Sequence, residues 1–200
     1  MSFATLRKTV CTDIDIDTAL KEIAANPHIG DVLAFDLLDG RRIECTVTDI
    51  DDKAIRFDSV DCLGDDMTYG KVEKWLDRIN HLLPDELRKA IIDTERKHTI
   101  NGKKISRLER LFLPAASELF SGDSVLSDED LYKQMDWYKD RRHRMKMYEH
   151  NGDSTAYWTS SQRSGNSSAF CYVSANGHAS SDNASFAWLS APVCFRVRKS

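Results

Sequence analysis

The sequence predicts an α+β fold in which an antiparallel meander, packed helices and a loop-rich C-terminal third share one core. Three patterns predict it. Apolar residues recur with period two between Asp31 and Val60, recur at helical spacing with proline stops between Val72 and Ile91, and are placed singly among Ser, Asn, Gly and Ala after Tyr148. With 200 residues, 41% of them apolar, the chain can bury a single core, so the expected organisation is an N-terminal docking helix over residues 1–29 and one domain over residues 30–200. A net charge of -4, mixed in sign, favours neither a polyphosphate-binding surface nor an acidic tail. Met1 to Thr12 has no basic-then-apolar pattern, and no apolar run reaches membrane-spanning length, so membrane insertion is not expected.

Asp17 or Thr18 is placed to cap a short helix carrying Leu20, Ile23 and Ala24, which Pro27 stops. Ile43, Cys45 and Val47 then alternate with polar residues, as do Ile55 and Phe57; Asp39-Gly40 and Asp51-Asp52 supply turns for a three-stranded antiparallel meander. Asp65 to Gly70 reads as a loop. Val72, Trp75, Leu76, Ile79 and Leu83 mark one face of a helix ended by Pro84, and a second helix starts near Asp85 with acidic residues in its first turn. Asn101-Gly102 signals a hairpin, Arg110 to Leu113 a buried strand, and Pro114 a short turn or helix through Ser117, Glu118 and Leu119. Ser121 to Ser127 reads as loop. Ser127 with Asp130 resembles a capping pair for a helix carrying Leu131, Met135 and Tyr138.

The C-terminal third is polar enough to suggest disorder, but its aromatics argue against that. Tyr157 and Trp158 open it, Phe170, Tyr172 and Val173 punctuate it, and Pro192, Phe195 and Val197 close it, so short anchoring strands should alternate with polar surface loops. The motifs are Tyr157-Trp158-Thr159-Ser160-Ser161, Gly165-Asn166-Ser167-Ser168-Ala169-Phe170-Cys171-Tyr172-Val173, Asn176-Gly177 and Ala191-Pro192-Val193-Cys194-Phe195-Arg196-Val197. In this order they resemble the DUF6273 domain family of gut bacteria and their prophages, with coverage from about Gly30 to the end. The resemblance implies a C-type-lectin-like fold of the branch shared with formylglycine-generating enzymes, and similarity to the variable target proteins of diversity-generating retroelements. Thr159 and Ser160 stand where the family usually has leucine and arginine, and Leu189 and Ser190 where it usually has glycine and valine.

The resemblance also frames the chemistry. The oxidising branch uses two closely spaced cysteines, whereas Cys171 has no partner in sequence before Cys194, so catalysis is not expected. Five scattered cysteines read as buried free thiols; a Cys171–Cys194 bridge is the alternative that C-type lectins suggest. The six histidines lack metal-ligand spacing, and Asp182 with Asn183 alone offers too few hard oxygens for calcium, so neither metal nor cofactor is expected. The basic run Lys139, Arg141, Arg142, His143, Arg144 and Lys146 beside Trp137 and Tyr138 reads as a solvated helix end rather than a nucleic-acid contact.

What remains is binding. Phe186 and Trp188, two residues apart, would share one side of an extended segment and stand either in the core or against a partner. Ser160, Gln162, Arg163, Ser168, Tyr172, His178, Asp182 and Asn183 are the accompanying contact candidates, chosen as members of polar loops. The expected function is a ligand-display protein of a phage or prophage, made in a bacterial cytoplasm and in the end virion-associated, whose partner is a protein or glycan on a bacterial surface. The alternative is a structural or assembly subunit of a phage particle, using the same surface as a permanent interface. A homo-oligomer is compatible with both.

Overall fold

The computed structural model describes residues 9–10, 15–122, 131–148 and 152–199, and shows a mixed α+β architecture dominated by antiparallel sheet. In chain order the elements are β1 (Thr9–Val10), α1 (Ile16–Ala25), β2 (Val32–Asp36), β3 (Arg42–Ile50), β4 (Ala54–Ser59), β5 (Gly64–Met67), α2 (Val72–Leu82) and α3 (Asp85–Ala90). They continue with β6 (Thr94–Ile100), β7 (Lys103–Glu109), β8 (Leu111–Phe112), α4 (Ala116–Leu119), β9 (Lys146–Met147) and β10 (Ser154–Thr155). The C-terminal strands are β11 (Tyr157–Arg163), β12 (Asn166–Val173), β13 (Ala179–Asn183), β14 (Leu189–Ala191) and β15 (Cys194–Arg198).

The expected meander forms as β2, β3 and β4. It is extended into a sheet of order β1-β2-β3-β4-β15-β8, with β1 parallel to β2 and the last strand, β15, inserted antiparallel beside β4. Period two then sorts β4. Ile55 and Phe57 face a core shared with α1, α2 and α3, where Phe57 stacks on Phe195 at 5.3 Å, while Arg56 and Asp58 take the opposite face. Asn101 and Gly102 both have positive φ, 52° and 73°, which is the primed turn expected for a two-residue hairpin, and it joins β6 to β7.

Several expectations are corrected. The first helix begins at Ile16, ahead of Asp17 and Thr18, so neither caps it. Part of the expected loop at Asp65 to Gly70 is strand β5, because Gly64 and Met67 pair with Ala191 and Leu189 from the far end of the chain. Among the described residues the expected helix through Leu131, Met135 and Tyr138 does not form: residues 136–139 and 141–144 make two separate 3-10 turns, with Tyr138 buried as an anchor. Of the basic run, Lys139, Arg141 and Arg142 are exposed as expected of a solvated face, whereas Arg144 donates to Gly177 O and lies over the Phe120 ring, and Lys146 is buried against Ser59 O. The Ser127 and Asp130 capping pair lies outside the described residues.

The largest correction concerns the polar third. Instead of long loops between anchors, it forms a five-stranded sheet of order β13-β12-β11-β14-β5, mostly antiparallel. Serine and asparagine tolerate extended backbone when the ladder satisfies their main-chain groups, and the rings of Tyr157, Trp158 and Phe170 provide the buried area.

Cys45, Cys62, Cys171 and Cys194 are free and buried, so no Cys171–Cys194 bridge forms; Cys11 lies outside the residues described in this way. Burial pushes the Cys62 thiol up to about 12 and raises those of Cys45 and Cys194 further. All four should stay unmodified by a small thiol reagent in the native protein and react on denaturation, read by peptide mapping.

Candidate functional site

The C-terminal sheet divides its side chains between two apolar clusters. On one face Tyr157, Cys171 and Val173 join Tyr138, Leu119 and Phe120. On the other, Trp158 and Phe170 join Met67, Val72, Leu113 and Leu189. Trp158 pairs directly with Tyr172 across β11 and β12, and Phe170 sits two residues before Tyr172, so all three rings share the second face.

These rings form a continuous chain from core to solvent. Tyr69, just before α2, stacks on Phe170 with centroids 3.5 Å apart and meets Trp158 edge-on at 5.7 Å. Trp158 is fully buried, donates its indole N–H to Met67 O at 2.7 Å, and meets Tyr172 edge-on at 6.3 Å. Tyr172 in turn meets Trp188 edge-on at 5.5 Å. Trp188 is 49% exposed and Phe186, in the same turn after β13, is 47% exposed. The outer end of the chain is therefore an aromatic shelf whose half-exposed indole packs edge-on against Tyr172. Ser168 lies on the same face of β12, and Asp182, opposite Phe170, lies on it too.

The other candidates separate. Ser160 and Gln162 are buried in β11, contrary to their expected place in surface loops. The Gln162 amide works internally, accepting from Asn101 N at 2.8 Å and donating to Ser167 O at 2.6 Å, which ties β11 to the β6–β7 turn. Arg163 is exposed at the β11–β12 turn. His178 is exposed at the other end, accepting from Arg141 Nη1 at 3.1 Å. Asn183 points to the opposite face from Asp182, and its Oδ1 accepts from Ser185 N and Ser185 Oγ. Of the ten candidates, then, Tyr172 and Trp188 are in contact, Phe186 lies two residues before Trp188, and Ser168 and Asp182 share the sheet face of Tyr172. Among the described residues no cluster of His, Cys, Asp or Glu is arranged to hold a metal ion.

Sequence reasoning missed two features. The first is a groove of about 840 Å³ between α2 and the β6–β7 ribbon, with Tyr69 as the wall it shares with the aromatic chain. The second is a buried ionic cluster beneath the sheet. Arg56 binds Asp58 at 2.7 Å and Glu118 at 2.7 Å; Arg96 binds Glu118 with both nitrogens, at 2.5 and 2.8 Å; and Tyr138 donates to Asp58. Two cations and two carboxylates balance, and both guanidiniums lie over the Phe112 ring, at 5.3 and 4.5 Å. Burial alone would raise the Glu118 carboxyl, but Arg56 and Arg96 outweigh it and hold it at about 2. The cluster joins β4, β6 and α4 under the sheet that carries the shelf.

The sequence matches the family described as Domain of unknown function (DUF6273) over residues 67–199, and the chain belongs to that family. The match spans both the shelf and the groove. No curated protein and no solved structure matches the chain.

Proposed function

We propose that this DUF6273 family member is a non-catalytic ligand-binding protein, whose partner, a protein or glycan on a bacterial surface, seats on the Tyr172–Trp188 shelf. One observation carries the reading. An indole about half exposed packs edge-on against part-buried Tyr172, which itself rests on buried Trp158, and a ring so supported offers apolar surface at reduced entropic cost on binding. Ser168 and Asp182 offer hydrogen-bonding groups on the same sheet face. Burial of the four described thiols, which raises those of Cys45, Cys62 and Cys194, favours binding over cysteine chemistry.

The finer reading belongs to the same proposal: a C-type-lectin-like scaffold in which ring anchors stay fixed while exposed residues on β12, β13 and the following turn vary, as in a retroelement target protein of a phage or prophage. Trp188→Ala tests the shelf. On a glycan array and on a panel of intact bacterial cells, wild-type protein should bind, and the variant should bind at least about tenfold more weakly. Its melting temperature should be nearly unchanged, because the side chain is half exposed. Equal binding by the two proteins would remove the shelf as the site.

A further inference from the structure

β13 is an outer strand of the C-terminal sheet and pairs with β12 alone. Bonds at the two ends of that ladder fix which way its main chain points. Ser174 N donates to His178 O at 2.8 Å, and Ala184 N donates to Ser168 O at 2.9 Å, so His178 and Ala184 turn toward β12. The register between them is unbroken, and in an antiparallel ladder inward and outward residues alternate. Ser180 and Asp182 therefore bond to β12, while Ala179, Ser181 and Asn183 turn their N–H and C=O groups outward. Asn183 uses both of its groups locally, donating to Asp182 Oδ1 at 2.8 Å and accepting from Phe186 N at 3.0 Å. Among the described residues, the outward groups of Ala179 and Ser181 have no main-chain partner.

This edge lacks the devices that keep strand edges apart. From Ala179 to Asn183 there is no proline, no lysine and no bulge, and every side chain is small. We infer that β13 pairs antiparallel with β13 of a second copy, about a two-fold axis at Ser180. In this register Ala179 of each copy lies opposite Ser181 of the other, so each free N–H meets a free C=O. Asp182, bonded only to Asn183 N among the described residues, falls opposite His178 of the other copy. That exposed ring lies 3.1 Å from Arg141 Nη1, so a carboxylate faces two basic side chains across the contact, twice over. The neighbouring registers fit worse. Pairing centred on Ser181 sets Ala179 against the occupied groups of Asn183, and pairing centred on Asp182 sets two carboxylates face to face. The axis stands perpendicular to the joined sheet, so both copies turn their Tyr172 face to the same side. On the proposed function this presents two shelves to one surface, although the pairing itself does not rest on the shelf.

Sedimentation velocity of the full chain over a concentration series tests it. Wild-type protein should form a dimer with a dissociation constant on the order of micromolar, as suits a small contact. Ser181→Pro removes an outward N–H and no bond to β12, so it should weaken the dimer at least about tenfold with little change in melting temperature. Asp182→Lys and His178→Glu should each weaken it as much, the first by setting lysine against histidine and arginine, the second by setting glutamate against aspartate. Mixed in equal amounts, these two variants should dimerise with each other, because lysine then meets glutamate at one end and Asp182 meets His178 at the other. Ser180→Cys should cross-link to itself under mild oxidation, on a non-reducing gel run beside wild type, since residues opposite each other in such a pair lie about 4.5 Å apart. A chain still monomeric at about 0.5 mM, a dimer indifferent to Ser181→Pro, or charge variants that fail to pair on mixing would each overturn the inference.

Discussion

Replacing Glu118 with glutamine should lower the unfolding free energy by about 3–5 kcal/mol, because it leaves Arg56 and Arg96 buried with only Asp58 to balance them. The change is isosteric, so the loss measures charge and not volume. Combining it with Arg96→Met, which removes the surplus cation, should restore part of the loss, and a double-mutant cycle in urea reads the coupling. Acid should reproduce the effect in the wild type. The carboxyl is held at about 2 when folded, against 4.5 when unfolded, so its contribution is complete above about 4.5 and is lost as pH falls through about 2. The Glu118→Gln protein should show a flatter stability curve across that window. A wild-type curve with the same slope would show that the cluster does not hold the carboxylate.

Trp158→Ala should cost about 3–5 kcal/mol, in the range for deleting a large buried aromatic from a core that cannot close over the gap. The indole is fully buried between the Tyr69 and Tyr172 rings, and its loss also strands Met67 O without its donor. The effect should extend to the surface. Tyr172 would lose the ring it leans on and Trp188 would lose its orientation, so near-ultraviolet circular dichroism should change over the aromatic band even where far-ultraviolet signal persists. Trp158→Phe, which keeps a ring but not the N–H, should fall between wild type and alanine.

Period two from Ile43 to Phe57 and proline-stopped helical spacing from Val72 to Ile91 were enough to read the meander and α2 and α3, because local burial patterns follow backbone geometry directly. The anchors Tyr157, Trp158, Phe170 and Phe195 were legible for the same reason: large rings in a polar stretch have little to do but pack. Parts of the site were legible only as residue types. Trp188 and Phe186 stand out, but Ser160 and Gln162 read as members of polar surface loops between the anchors, and only the β11 ladder shows that they are buried.

Alternation by itself determined that Arg56 and Asp58 oppose Ile55 and Phe57, and aromatic spacing determined which residues anchor the C-terminal third. Tertiary structure alone decided the rest. That Arg56 faces a second buried layer and not water, that β5 pairs with β14, and that Tyr69 reaches Phe170 all depend on segments brought together from distant parts of the chain. A one-dimensional pattern records which side of its own strand a residue takes; what covers that side is fixed by partners many residues away, which no local period encodes.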